Sequence, residues 1–267
     1  MEMIPPGQYY RLPSNWVQSI SETRKNIIRS GGMRVRSQQV AQELELLDLP
    51  KGELGLYIDG GLPQGVRIGP IMKLFQFTTF ATSACIIYTD IHIDEAALQA
   101  LKKVLLFGPI PKRLFNALIA APKLKSLDIS SGQRGDLACV NSPELEYLRN
   151  ASGLPLPSAS RLRNLRHLFV SNSRKPYSLA SLSESVNLNF LQLHYLYGGI
   201  VGFDALSELK HIRLLDMSSV PSIENYEILL RMPKIEQFVR GGTKAIPVEF
   251  YEKLDSRWGS AEASHLA

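Results

Sequence analysis

LRHLFV at residues 165–170, LNFLQL at 188–193 and IRLLDM at 212–217 share one pattern, with apolar residues at the first, fourth and sixth positions. The same hexamer stands upstream as LKKVLL (101–106) and LKSLDI (124–129). Two further copies, LEYLRN (145–150) and IEQFVR (235–240), lose the apolar residue at position six. First positions fall at 101, 124, 145, 165, 188, 212 and 235, so the steps are 23, 21, 20, 23, 24 and 23 residues. One such hexamer means little in a leucine-rich chain. Seven in register are the signature of a structural repeat. Apolar residues two apart at positions four and six predict a short strand with one buried face.

The segments between hexamers predict short helices. Residues 94–101 (DEAALQAL) begin with acids, which favour a helix N-terminus, and continue with Ala and Leu. Leu114, Leu118 and Ile119 have helical spacing, as do Phe203, Leu206 and Leu209, and Tyr226, Leu229 and Leu230. Pro122, Pro143 and Pro233 each stand two residues before a hexamer, where proline blocks helix continuation. A strand–turn–helix unit of this size buries its apolar face only by stacking on its neighbours.

This organisation resembles the leucine-rich repeat family, whose unit of 20–29 residues carries the core L-x-x-L-x-L. The resemblance implies an α/β solenoid: a curved parallel sheet on the concave face, short helices on the convex face, and caps at both ends. It covers residues 96–246. Residues 1–95, where the register is lost, are expected to form an N-terminal cap region with room for divergent repeats. Within them 54–59 and 86–93 read as strands, and 16–47 reads as mixed helical, broken at Gly31 and Gly32. Residues 247–267 are expected to hold a capping helix over 248–254 and a frayed polar tail from Ser256. The family usually places Asn or Cys three residues after position six. Here those positions hold Gly132, Ser173, Leu196 and Val220, so no asparagine ladder is expected and the repeats should be irregular.

Composition excludes several classes. The chain has 267 residues, 45% hydrophobic and 21% charged, which is ordinary for a globular protein. Two cysteines, Cys85 and Cys139, make neither a disulfide scaffold nor a zinc site, and both are expected to be buried and inert. The N-terminus has no signal-peptide pattern. The longest uncharged stretch, 74–89, is too short and too polar to span a bilayer, and reads as one or two buried strands. Asn150-Ala151-Ser152 matches a glycosylation sequon, read as coincidental without a secretory signal. These features predict a cytoplasmic protein that does not engage a membrane.

No catalytic motif stands out. His92, His167, His194, His211 and His265 lie in no HExxH and beside no ligand at metal spacing. There is no phosphate-binding G-x-x-x-x-G-K-[ST] and no G-x-S-x-G elbow. The expectation is therefore a non-enzyme without cofactor or metal. A site around Tyr88, Asp90, His92 and Asp94 is the one enzymatic reading considered, and the alternating IIYTDIHI reads more simply as a strand.

The repeat makes a sharper prediction. With positions four and six buried, positions three, five and seven point onto the concave sheet. Tyr147, His167, Phe169, Phe190 and His194 then fall on three consecutive repeats, on strands about 4.8 Å apart. Arg149 and Gln192 flank them, and Asp128 and Asp216 lie farther out along the fifth-position column. Exposed aromatics beside an Arg have the composition of a binding hot spot. Charge is uneven as well. Residues 96–183 hold 13 Lys and Arg against four acids, a net +9, and the remainder carries −4. This predicts a protein partner with an acidic surface region. The candidate roles are an inhibitor, such as an immunity protein neutralising a toxin, or an adaptor. The alternative is nucleic-acid binding through Lys102, Lys103, Lys125, Arg149, Arg163 and Arg166, with Tyr147 and Phe169 stacking on bases.

Overall fold

The computed structural model describes residues 10–11, 20–36, 47–59, 76–82, 95–130, 132–233, 235–243 and 245–258. The chain divides into two compact units, residues 1–142 and 143–267, each a stack of parallel strands.

In the first unit the strands are β1 (Tyr10–Arg11), β2 (Gly32–Arg36), β3 (Gly55–Asp59), β4 (Thr79–Thr82), β5 (Lys103–Leu106) and β6 (Ser126–Ile129). Gly32 lies opposite Gly55, Gly55 opposite Thr79, Thr79 opposite Lys103, and Lys103 opposite Ser126. Equivalent residues are thus 23, 24, 24 and 23 apart. The repeat therefore runs upstream of residue 96, where the sequence register is lost. The physical reason is visible in the hexamers SGGMRV (30–35), ELGLYI (53–58) and FTTFAT (77–82). Ser30, Glu53 and Thr82 occupy positions expected to be apolar, yet Met33, Leu56 and Phe80 at position four are buried.

Helix α1 (Ile20–Arg29) precedes β2, and Gly31, at φ +69°, makes the turn between them. Helices α2 (Glu95–Leu98) and α3 (Lys112–Ile119) follow β4 and β5. Amphipathic α3 buries Leu114, Phe115, Leu118 and Ile119. Strand β3 falls within the expected 54–59, and β4 within the uncharged stretch 74–89. The expected strand 86–93, Cys85, and the group Tyr88, Asp90, His92 and Asp94 lie outside the described residues. Cys139 ends a 3₁₀ turn (Leu137–Cys139) and is half-buried rather than buried.

The second unit holds β7 (Tyr147–Asn150), β8 (His167–Ser171), β9 (Tyr177–Ser178), β10 (Phe190–His194), β11 (Ile200–Val201), β12 (Leu214–Ser218) and β13 (Gln237–Val239). Strands β7, β8, β10, β12 and β13 form one parallel sheet, and β9 pairs with β11 in a two-stranded sheet. Position-four residues Leu148, Leu168, Leu191 and Leu215 are buried, as are Val170, Leu193 and Met217 at position six. The alternate residues at positions three and five are half-buried or exposed, whereas Ser171 at position seven of β8 is buried. After β8, β10, β12 and β13 the eighth position of the repeat is left-handed: Asn172 (φ +65°), Tyr195 (+52°), Ser219 (+56°) and Gly242 (+66°).

The expected convex helices of this unit are 3₁₀ turns: Ala159–Arg161, Ala180–Glu184, Phe203–Glu208 and Tyr226–Leu230. A 3₁₀ turn advances about 2.0 Å per residue against 1.5 Å in an α-helix, so a short link returns to the next strand with fewer residues. Helix α4 (Val248–Trp258) closes the end of the unit. It is longer than expected, because Trp258 is buried edge-on to Phe238 at 5.8 Å and anchors the segment read as a frayed tail.

Candidate binding face

The register of β7, β8 and β10 builds the site. Tyr147 lies opposite His167, and His167 opposite Phe190. The third-position column is therefore a continuous ring ladder. Tyr147 and His167 have centroids 6.1 Å apart, and His167 stacks on Phe190 at 4.4 Å and 11°. Directly opposed rings of this kind stabilise a sheet pair by about 0.5–1.5 kcal/mol beyond their burial. Burial and the charge of Arg166 push the His167 imidazole below its ordinary pKa, which favours the neutral ring in the stack.

The fifth-position column runs Arg149, Phe169, Gln192, Asp216. The Arg149 guanidinium sits 5.0 Å over the Phe169 ring. Phe169 in turn meets His194 edge-on at 5.2 Å. Asp216 lies closer to the patch than the column order suggested. Its Oδ2 is 2.9 Å from His194 Nε2 and accepts a long hydrogen bond from Gln192 Nε2 at 3.5 Å, while Oδ1 accepts from the Ser218 hydroxyl at 2.9 Å. The His194 N–H is not aligned for a hydrogen bond, so that approach is a charge contact when the imidazole is protonated. Burial pushes the Asp216 carboxyl up, but His194, Ser218 and Gln192 outweigh it and hold the group below the ordinary carboxylate value.

Eight of the nine predicted residues, Tyr147, Arg149, His167, Phe169, Phe190, Gln192, His194 and Asp216, thus lie on the strands of the second unit in two chains of contact, Tyr147–His167–Phe190 and Arg149–Phe169–His194–Asp216–Gln192. Asp128 belongs to the first unit, half-buried on β6 opposite Leu105.

The sequence reading missed two exposed rings. Tyr195 is 48% and Tyr197 58% exposed, with centroids 6.3 Å apart, and Tyr195 meets His194 edge-on at 6.4 Å. Tyr195 occupies the left-handed eighth position, where an L residue other than Gly, Asn or Asp is uncommon. The signal was present one position beyond the columns read, where Asn172, Ser219 and Gly242 share the slot.

Among the described residues no group of three His, Cys, Asp or Glu is placed to hold a metal ion, and no helix is long and apolar enough to cross a membrane.

One strand per repeat in the parallel sheet, steps of 20–24 residues and buried apolar residues, mostly leucine, at positions one, four and six define a leucine-rich repeat solenoid. Among solved structures the chain is similar to an internalin from Listeria monocytogenes. The two share 15% identity over 94% of this chain and 82% of that one, with a TM-score of 0.53, a likeness of fold. A plant peptide hormone receptor in complex with its peptide matches over 81% of this chain and 40% of its own, at 17% identity and a TM-score of 0.44. No family model matches the sequence, and no curated protein matches it.

Proposed function

We propose that this chain is a non-enzymatic, cytoplasmic protein-binding module that uses the strand-bearing face of its second unit. The observation that carries this reading is the ring ladder Tyr147–His167–Phe190, flanked by Arg149 on Phe169. Cross-strand stacking fixes these rings before any partner arrives, so little side-chain entropy is lost on binding. Aromatic and Arg side chains dominate interface hot spots. The partner is a protein with an acidic region, and the role is that of an inhibitor, of the immunity-protein kind, or of an adaptor. The nucleic-acid alternative is less well supported, because two of its phosphate ligands are already engaged. Arg163 pairs with Glu184 at 2.7 Å, and Arg149 rests on Phe169.

Phe169→Ala combined with Phe190→Ala tests the site. The variant is expected to keep its circular dichroism spectrum and to lose capture of the partner that the wild-type chain recovers from native lysate. Undiminished capture removes the site assignment. A salt titration against generic RNA and DNA checks the alternative, since phosphate-driven affinity falls steeply with salt.

A further inference from the structure

The loops that follow β7 and β8 run side by side and bound a groove of about 600 Å³, apart from the ring ladder. Arg174 and Lys175 line it, Pro155, Leu156 and Pro176 give it apolar surface, and no Asp or Glu lines it. Both cations are exposed, and neither is ion-paired to a described residue.

A buried polar network frames this groove. Asn150, fully buried at position six of its repeat, donates from Nδ2 to the Leu154 carbonyl at 2.7 Å and accepts from the Leu154 N–H at 3.1 Å. The buried Tyr177 hydroxyl donates to the same carbonyl at 2.9 Å and lies 3.2 Å from Asn150 Nδ2. Burial pushes this phenol well above its ordinary pKa, so it stays a neutral donor. Asn172 Nδ2 ties the second loop to the Ala151 carbonyl at 3.0 Å, and the Ser173 hydroxyl donates to the Lys175 carbonyl at 2.9 Å. On the far side a Cβ on Gly198 would run into the Lys175 carbonyl carbon, so the 195–199 loop packs directly on this backbone. The segment carrying both cations is therefore held from two sides, and a pre-formed site loses little entropy when filled.

We infer that this groove is a second contact site, which takes an extended acidic segment of a protein partner. Its carboxylates meet Arg174 and Lys175, and its aliphatic side chains cover the prolines and Leu156. A free phosphate fits less well, because it would leave the apolar surface of Pro155, Leu156 and Pro176 uncovered beside the two cations. This inference rests on the protein-binding reading above.

The test titrates a labelled peptide of alternating Glu and Leu into the full chain at low and physiological salt. Arg174→Glu with Lys175→Glu is expected to weaken binding about tenfold or more, while the same charge change at Lys112→Glu with Lys123→Glu leaves it within about twofold. Phe169→Ala with Phe190→Ala should leave peptide affinity unchanged even though partner capture is lost. Peptide affinity insensitive to the Arg174 and Lys175 reversal, or lowered equally by the control pair, overturns the groove. Competition by inorganic phosphate at equal concentration overturns the acidic-segment assignment. Because capture reads the ring ladder and peptide affinity reads the groove, failure of one is distinguishable from failure of the other.

Discussion

The two units place different chemistry at the same repeat position. In the first, position five carries Arg34, Tyr57, Ala81 and Leu105 on neighbouring strands. Tyr57, Ala81 and Leu105 form a cluster only 7%, 0% and 7% exposed, with the Arg34 guanidinium 4.9 Å over the Tyr57 ring. In the second, position five carries Arg149, Phe169, Gln192 and Asp216, all half-buried. As the fifth residue of LKKVLL, Leu105 is expected on the open face, and its burial corrects that expectation. Side-chain alternation assigns a residue to a side of the sheet, but the neighbours on that side decide whether it is core or surface.

The comparison can be broken by mutation. Leu105→Ala should cost about 2–4 kcal/mol of stability through the cavity it leaves, and should leave partner capture intact. Its counterpart Gln192→Ala should lower the unfolding free energy by less than about 0.5 kcal/mol, since Gln192 is half-buried and gives up one long hydrogen bond to Asp216. Equal costs at the two positions would erase the distinction between the units.

Asn150→Ala should cost about 2 kcal/mol, because it leaves the Leu154 N–H without its acceptor and the Leu154 carbonyl with the Tyr177 hydroxyl alone, in a half-buried turn. Chemical denaturation measures it. Tyr195→Gly should instead stabilise by about 0.5–1 kcal/mol, by relieving the left-handed backbone, while weakening capture. A destabilised Tyr195→Gly would show that the ring is held for packing.

The smallest effect concerns pH. His167 and Asp216 both have folded pKa values below their ordinary ones, so protonation favours the unfolded chain. Their stabilisation is complete above the unfolded values and is lost as pH falls, first below about 6.5 through His167 and then below about 3.9 through Asp216. His167→Gln should flatten the upper part of a melting-temperature profile and Asp216→Asn the lower part.

The second unit and the last two strands of the first, β5 and β6, were legible because their hexamers keep apolar residues at positions one and four, which fixes the register and hence the columns. The repeats of β2, β3 and β4 were not, because Ser30, Glu53 and Thr82 fill slots expected to be apolar. Asn150 departs from the apolar pattern at position six because its amide holds its own loop through Leu154 and meets Tyr177 of the next repeat. Asp216 was ranked by column order, whereas its contacts run across columns to His194 and Gln192. The strain at Tyr195 follows from the turn geometry after each strand, which hydrophobic periodicity does not encode.

The most direct test of the central claim measures Leu105→Ala and the double variant Phe169→Ala, Phe190→Ala side by side, for denaturant midpoint and for partner capture. The account predicts that the first loses stability and keeps capture, while the double variant keeps a folded state and loses capture. Capture lost in the first or retained in the second would contradict it.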